Sequence, residues 1–122
     1  MNAGVLDVEG EIFRTRSALS GQRLNVKLTG CLDMETAPAL ERFLGAISDA
    51  VASDAVREIQ FDTEGLYLMS SSSISHVATW VKRLKGKAGH CRVKFKTNPN
   101  LAWQRRTLDS IRRVAEGIVS VE

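Results

Sequence analysis

Apolar residues Leu24, Val26 and Leu28 alternate with Asn25, Lys27 and Thr29, the period-two pattern of a strand with one buried face. Glu11 to Ser17 reads as a strand before it, with a turn at Ser20-Gly21 between the two. Gly30 ends the alternation, and Asp33 or Thr36 can cap the next element. From Glu35 to about Val51 the residues Ala37, Leu40, Phe43, Leu44, Ile47 and Val51 fall on one helical face, with Pro38 tolerated near the start. Arg57 to Asp62 reads as a short strand through Ile59 and Phe61. Leu66-Tyr-Leu-Met69 then reads as a buried apolar segment running into four serines. Ile74, Val77, Ala78, Val81 and Leu84 mark a second helix that ends near Gly86 and Gly89. Cys91, Val93 and Phe95 alternate with basic residues as another strand, Asn98-Pro99 breaks the chain, and a third helix is expected from Leu101 to Val114. Ile118 to Val121 closes with a short strand.

The order β-β-α-β-α-β-α-β calls for crossover connections, so the class is α/β. The sheet is expected to be mixed, mostly parallel with a leading hairpin. Each helical pattern is one-sided, which places the helices mainly on one face of that sheet rather than in a bundle. A chain of 122 residues suffices for a single domain, 1–122, with 1–10 expected as a flexible N-terminal segment.

Composition changes this picture little: 43% hydrophobic and 25% charged residues are ordinary for a globular protein. No apolar run is long enough to span a bilayer and no signal pattern opens the chain, so a cytoplasmic protein is expected. Cys31 and Cys91 form no CxxC, and both are read as reduced thiols. Charge is distributed unevenly. Residues 1–64 carry 11 acids and 6 bases, whereas residues 65–122 carry 3 acids and 11 bases. Such polarity can steer an acidic or phosphorylated partner, although charged helix faces are more often only solvated.

Ser70 to Ser73 stand at a helix start, where a serine hydroxyl can accept from the orphan N–H groups of the first turn. The same N–H groups and the positive end of the helix dipole stabilise a phosphate. Four serines exceed what capping needs, which suggests a regulated hydroxyl. His76 lies four residues beyond Ser72, but no nucleophile elbow accompanies the pair, so a hydrolytic triad with Asp33 is not expected. His90 has no partners at metal-ligand spacing, and no cofactor is implied. Trp103 is assigned to the core. Trp80 falls off the apolar stripe read above, and exposed beside Lys82 and Arg83 it would be a partner contact. Arg105-Arg106 and Arg112-Arg113 share a helical face, yet no recognition motif supports nucleic-acid binding.

Two segments resemble the STAS domain of bacterial anti-sigma-factor antagonists. Leu28-Thr-Gly-Cys-Leu-Asp-Met-Glu-Thr-Ala37 is similar to that family's strand-to-helix motif, through Gly30, Leu32, Asp33, Thr36 and Ala37. Leu66-Tyr-Leu-Met-Ser-Ser-Ser-Ser-Ile-Ser75 is similar to its phosphorylation loop and the helix start behind it. Thr97-Asn98-Pro99 sits where the family often has Ser-Pro, and the element order agrees from about residue 11 to residue 122.

The resemblance implies a non-enzymatic regulator that binds a cognate anti-sigma-factor kinase of the GHKL type and is dephosphorylated by a PP2C-type phosphatase. It implies Ser72 (or Ser71) as phosphoacceptor, and Asp33, Met69, Ser70, Ser71, Ser73, Ser75 and His76 as partner-binding residues. Ser70 stands where the family has aspartate and Ser73 where it has glycine; a serine held at positive φ there would be strained. A monomer or weak homodimer is expected, with no nucleic acid and no membrane span. The alternatives are a non-phosphorylated STAS-like scaffold subunit of a signalling or lipid-transport complex, and a small anion- or nucleotide-binding domain. The absence of a Gly-rich lysine motif argues against the last.

Overall fold

A computed structural model describes residues 7–122 of the protein. Strands β1 (Phe13–Ser20) and β2 (Arg23–Leu32) form the leading hairpin, Phe13 opposite Gly30 and Ser20 opposite Arg23. Helix α1 (Ala37–Ala52), β3 (Glu58–Met69), α2 (Ser71–Lys87), β4 (Arg92–Lys96), α3 (Ala102–Val114) and β5 (Val119–Val121) complete the chain. The sheet order is β1-β2-β3-β4-β5, with β2 to β5 mutually parallel. Each parallel strand is added on the same side of its predecessor. Right-handed crossovers then place all three helices on one sheet face. Burial agrees: Leu24, Val26, Leu28, Ile59, Phe61, Val93 and Phe95 are covered, while Arg23, Lys27, Arg92 and Lys96 on the other face are exposed. The expected mixed sheet and one-sided helices are therefore present.

Three features bear on function. Residues 7–9, which fall in the segment expected to be flexible, are tied to the sheet edge: Thr15 N–H donates to the Val8 carbonyl (3.0 Å) and the Thr15 and Ser17 hydroxyls donate to Asp7 (3.1 and 2.7 Å). Residues 1–6 lie outside the described residues.

Strand β3 does not stop at Asp62 but runs to Met69. Against β2 it carries two extra residues: Lys27 to Thr29 spans Asp62 to Gly65, and Gly30 to Cys31 spans Leu66 to Leu68. Such bulges bend a strand and re-aim its side chains. Leu66 is buried, yet Tyr67 and Leu68 are exposed, so the apolar run is not the buried segment its composition suggests.

Trp80 is buried rather than exposed. Its indole N–H donates to Ser48 Oγ of α1 (2.7 Å) and its ring meets Phe61 edge-on at 6.0 Å. Helix α2 has a helix on each side, so its covered stripe is wide enough to include Ser73, Val77, Trp80, Val81 and Leu84. Trp103 is half-buried and packs against the core.

Burial also separates the two thiols. Desolvation pushes the Cys91 thiol up to about 11, an effect that Arg92 only partly opposes. Since the thiolate is the reactive form, buried Cys91 is expected to resist iodoacetamide at pH 8 while half-buried Cys31 reacts. Mass spectrometry should find one label on the native protein and two in urea; early labelling of Cys91 would contradict this.

Candidate phosphoserine and partner-docking site

The ends of β2 and β3 and the start of α2 converge because β2 and β3 are parallel neighbours and each is followed by a helix. Leu32 lies opposite Met69, and the Ser70 N–H donates to the Leu32 carbonyl at 2.7 Å. This bond anchors the serine turn to the end of β2. After β2 the chain makes a tight turn held reciprocally: Asp33 N–H donates to Thr36 Oγ1 (2.9 Å) and Thr36 N–H donates to Asp33 Oδ1 (3.0 Å). Asp33 thus caps the turn leading into α1, and it remains half-buried beside the serine segment.

The four serines divide into two pairs with different work. Ser70 is the N-cap of α2: its Oγ accepts from Ser73 N–H (3.1 Å), its carbonyl accepts from Ile74 N–H (2.9 Å), and its hydroxyl lies 3.0 Å from that of Ser73. Ser73 is fully buried and helical, with no positive φ, so the strain expected of a serine in a glycine position is absent. Ser71 is exposed and Ser72 half-buried, both in the first turn, where N–H groups have no intrahelical acceptor. Helix α2 has no acidic residue in its first turn, so no carboxylate of that turn offsets the positive dipole end near Ser71.

Ser75 is exposed one turn further on. His76 places Nδ1 2.9 Å from Glu41 of α1, and no hydrogen bond joins it to a serine, so the arrangement of a hydrolytic triad is not assembled. Met69 is half-buried against the core. Among the described residues, no group of three or more His, Cys, Asp or Glu side chains could hold a metal ion, and no helix is long and apolar enough to cross a membrane. On α3, Asp109 binds Arg112 (2.8 Å) and Arg113 (3.1 Å), and those guanidiniums, Arg112 first, hold its carboxyl below the usual range. That pairing removes half of the arginine face that spacing alone brings together.

Sequence reasoning missed two parts of this site. Met34 (77% exposed), Tyr67 (63%) and Leu68 (47%) present apolar surface on the two segments that flank the serines. Gln104 of α3, fully buried, donates through Nε2 to the carbonyls of Thr63 (2.6 Å) and Leu66 (2.7 Å) and accepts the Asn98 N–H at Oε1 (2.7 Å). It occupies the edge of β3 where pairing with β4 has ended at Asp62 and Lys96.

Comparison with solved structures identifies the architecture. No family model matches the chain, and no curated protein matches it. The fold is that of the STAS-type anti-sigma-factor antagonists. An anti-sigma factor antagonist from Mycobacterium paratuberculosis superposes with a TM-score of 0.65 at 19% identity, covering 85% of this chain and 83% of that one. The anti-sigma factor antagonist SpoIIAA in its unphosphorylated form gives 0.59 at 20% identity over 90% and 87% of the chains. The Bacillus cell fate determinant SpoIIAA in its phosphorylated form gives 0.59 at 21% identity, covering 90% of each chain.

Proposed function

We propose that this domain is a non-enzymatic regulator of the anti-sigma-factor-antagonist kind, which binds a protein partner at the mouth of α2 and is controlled by phosphorylation of Ser72 or Ser71. The carrying observation is the division of labour among the serines. Ser70 and Ser73 are used inside the fold, while Ser71 and Ser72 stand exposed or half-buried in a first turn that carries no acidic residue. A phosphoserine there brings about −1.5 to −2 charges and three acceptor oxygens, which the first-turn N–H groups and the dipole accommodate. A partner fitted to a neutral hydroxyl meets an unpaired charge at its interface, worth about 2–5 kcal/mol. Docking would use Asp33, Met69, Ser75 and His76 together with exposed Met34, Tyr67 and Leu68. The partner in this reading is a GHKL-type serine kinase, with a PP2C-type phosphatase restoring the hydroxyl in the cytoplasm.

Incubation with such a kinase and ATP, followed by site mapping, should place phosphate on Ser72 or Ser71 and none on Ser70 or Ser73. The Ser72→Glu variant should bind the kinase at least about thirtyfold more weakly, the lower edge of that energy range. Absence of label from all four serines overturns the switch.

A second reading, a STAS-like scaffold that is never phosphorylated, is favoured by the serine at position 70, whose hydroxyl serves as a cap where the related loop carries a carboxylate. It expects a constitutive partner and indifference to Ser72→Ala.

A further inference from the structure

Between α1 and α2 runs an open trough of about 800 Å³. Leu44, Val51 and Leu84 line its floor, with Trp80 held across it by the bond to Ser48. Its α1 wall is low at Gly45, where even a Cβ would meet nothing within 4 Å. Its α2 wall carries Arg83 and Lys87, exposed and four residues apart on one flank. Helix α2 contains no acidic residue, and among the described residues no carboxylate lies within 4.0 Å of either base. The one carboxylate in the lining, Glu41, is paired with His76 at the serine end. The trough is therefore apolar along its floor and positive along one wall.

From Glu41 to Ala52 the α1 side extends for about 16 Å at the helical rise of 1.5 Å per residue, three turns of a facing helix. An open, elongated surface between two helical walls suits a segment of chain better than the enclosing cleft that holds a small molecule. We propose that it docks an amphipathic helix of a partner protein, apolar face on the floor and acidic flank against Arg83 and Lys87, in the helix-in-groove mode. This deepens the regulatory reading by naming the partner's chemistry. It rests on that reading for the existence of a protein partner and not on phosphorylation.

The probe is a labelled helical peptide of about 14 residues, with leucines at i, i+3, i+4 and i+7 and glutamates on the flank, followed by anisotropy. Saturable binding is expected, weakened at least tenfold by Gly45→Trp, which fills the open wall, and by the Arg83→Glu/Lys87→Glu pair. Unchanged thermal melts would show that both variants remain folded. A peptide with lysines replacing the glutamates should bind at least tenfold more weakly. Equal binding of the two peptides, no binding of the acidic one, or indifference to Gly45→Trp in a folded variant overturns the proposal. So does a concentration-dependent dimer that Gly45→Trp dissolves, which would assign the trough to a second copy. The assay needs neither kinase nor phosphate, so its failure leaves the serine switch standing, and loss of the switch leaves the trough standing.

Discussion

Replacing Gln104 with leucine is expected to lower stability by at least about 3 kcal/mol, since each buried polar group left without a partner costs about 1–3 kcal/mol. Three backbone groups depend on this one side chain: the carbonyls of Thr63 and Leu66 and the N–H of Asn98. The Thr63 hydroxyl would not share the loss. Its single proton goes to the Lys96 carbonyl at 2.6 Å, the shorter of its contacts, and its 3.3 Å approach to Gln104 adds little. A leucine would fill the space but satisfy none of the three groups.

The Gln104→Glu variant separates hydrogen bonding from volume. An ionised carboxylate can accept from Asn98 N–H but is repelled by the two carbonyls, so the folded state should favour its protonated form. That raises the folded-state pKa above the unfolded one. Its deficit relative to wild type is then full above the raised folded value and shrinks as pH falls through that value toward the ordinary carboxylate range. The leucine deficit should stay constant with pH. Urea unfolding at pH 7 and pH 5 distinguishes the two. Hydrogen exchange at the Ser70 amide reads the consequence for the site, because β3 beyond Asp62 is held on that side by Gln104 rather than by β4. A loss below about 1 kcal/mol for the leucine variant, the value of a single ordinary hydrogen bond, would contradict this account.

Much of the fold could be read from periodicity, because each half-buried element has one partner surface. Strand β2 and helix α1 repeat their apolar residues at the periods their burial demands. The serine turn was also readable, since a helix start behind an apolar run has few other meanings. Strand β3 was harder. Its two bulges break the period after Asp62, and Glu64-Gly65 mimics a turn, so the alternation stops seven residues before the strand does. Trp80 was missed for a different reason: a stripe traced through Ile74 and Ala78 excludes it, whereas the spacing of Ser73, Val77, Trp80 and Leu84 includes it. Only the neighbouring helix decides between them. Gln104 did leave a signal. It precedes Leu108 and Ile111 at helical spacing, a polar residue on the covered stripe of α3, which is where a buried amide with specific partners is to be sought.

Gly30 ties the hairpin to the site, and Gly30→Ala is expected to cost about 2–6 kcal/mol, a sum of backbone strain and overpacking at about 1–3 kcal/mol each. The position has φ +98, which an L side chain rarely adopts. A Cβ would also be driven into the carbonyl oxygen of Ile12, with the Ile12 carbonyl carbon at 2.9 Å and Phe13 Cα at 3.3 Å. These are backbone atoms, and the same carbonyl accepts the Cys31 N–H at 2.9 Å, so relief requires breaking the β1–β2 pairing. Two residues further along, the Leu32 carbonyl holds Ser70 N–H. Displacement of β2 at Gly30 should therefore pass to the serine turn, and labelling of Ser71 or Ser72 by a kinase should fall along with stability. Gly86→Ala, on α2 and outside the trough, supplies the matched control. The added methyl meets nothing and glycine is a poor helix residue, so stability should rise by about 0.5–1 kcal/mol with labelling unchanged. If both alanine variants melted alike, the close approach of Ile12 to Gly30 would not govern this end of the sheet, and the link from hairpin to serine turn would have to run through another contact.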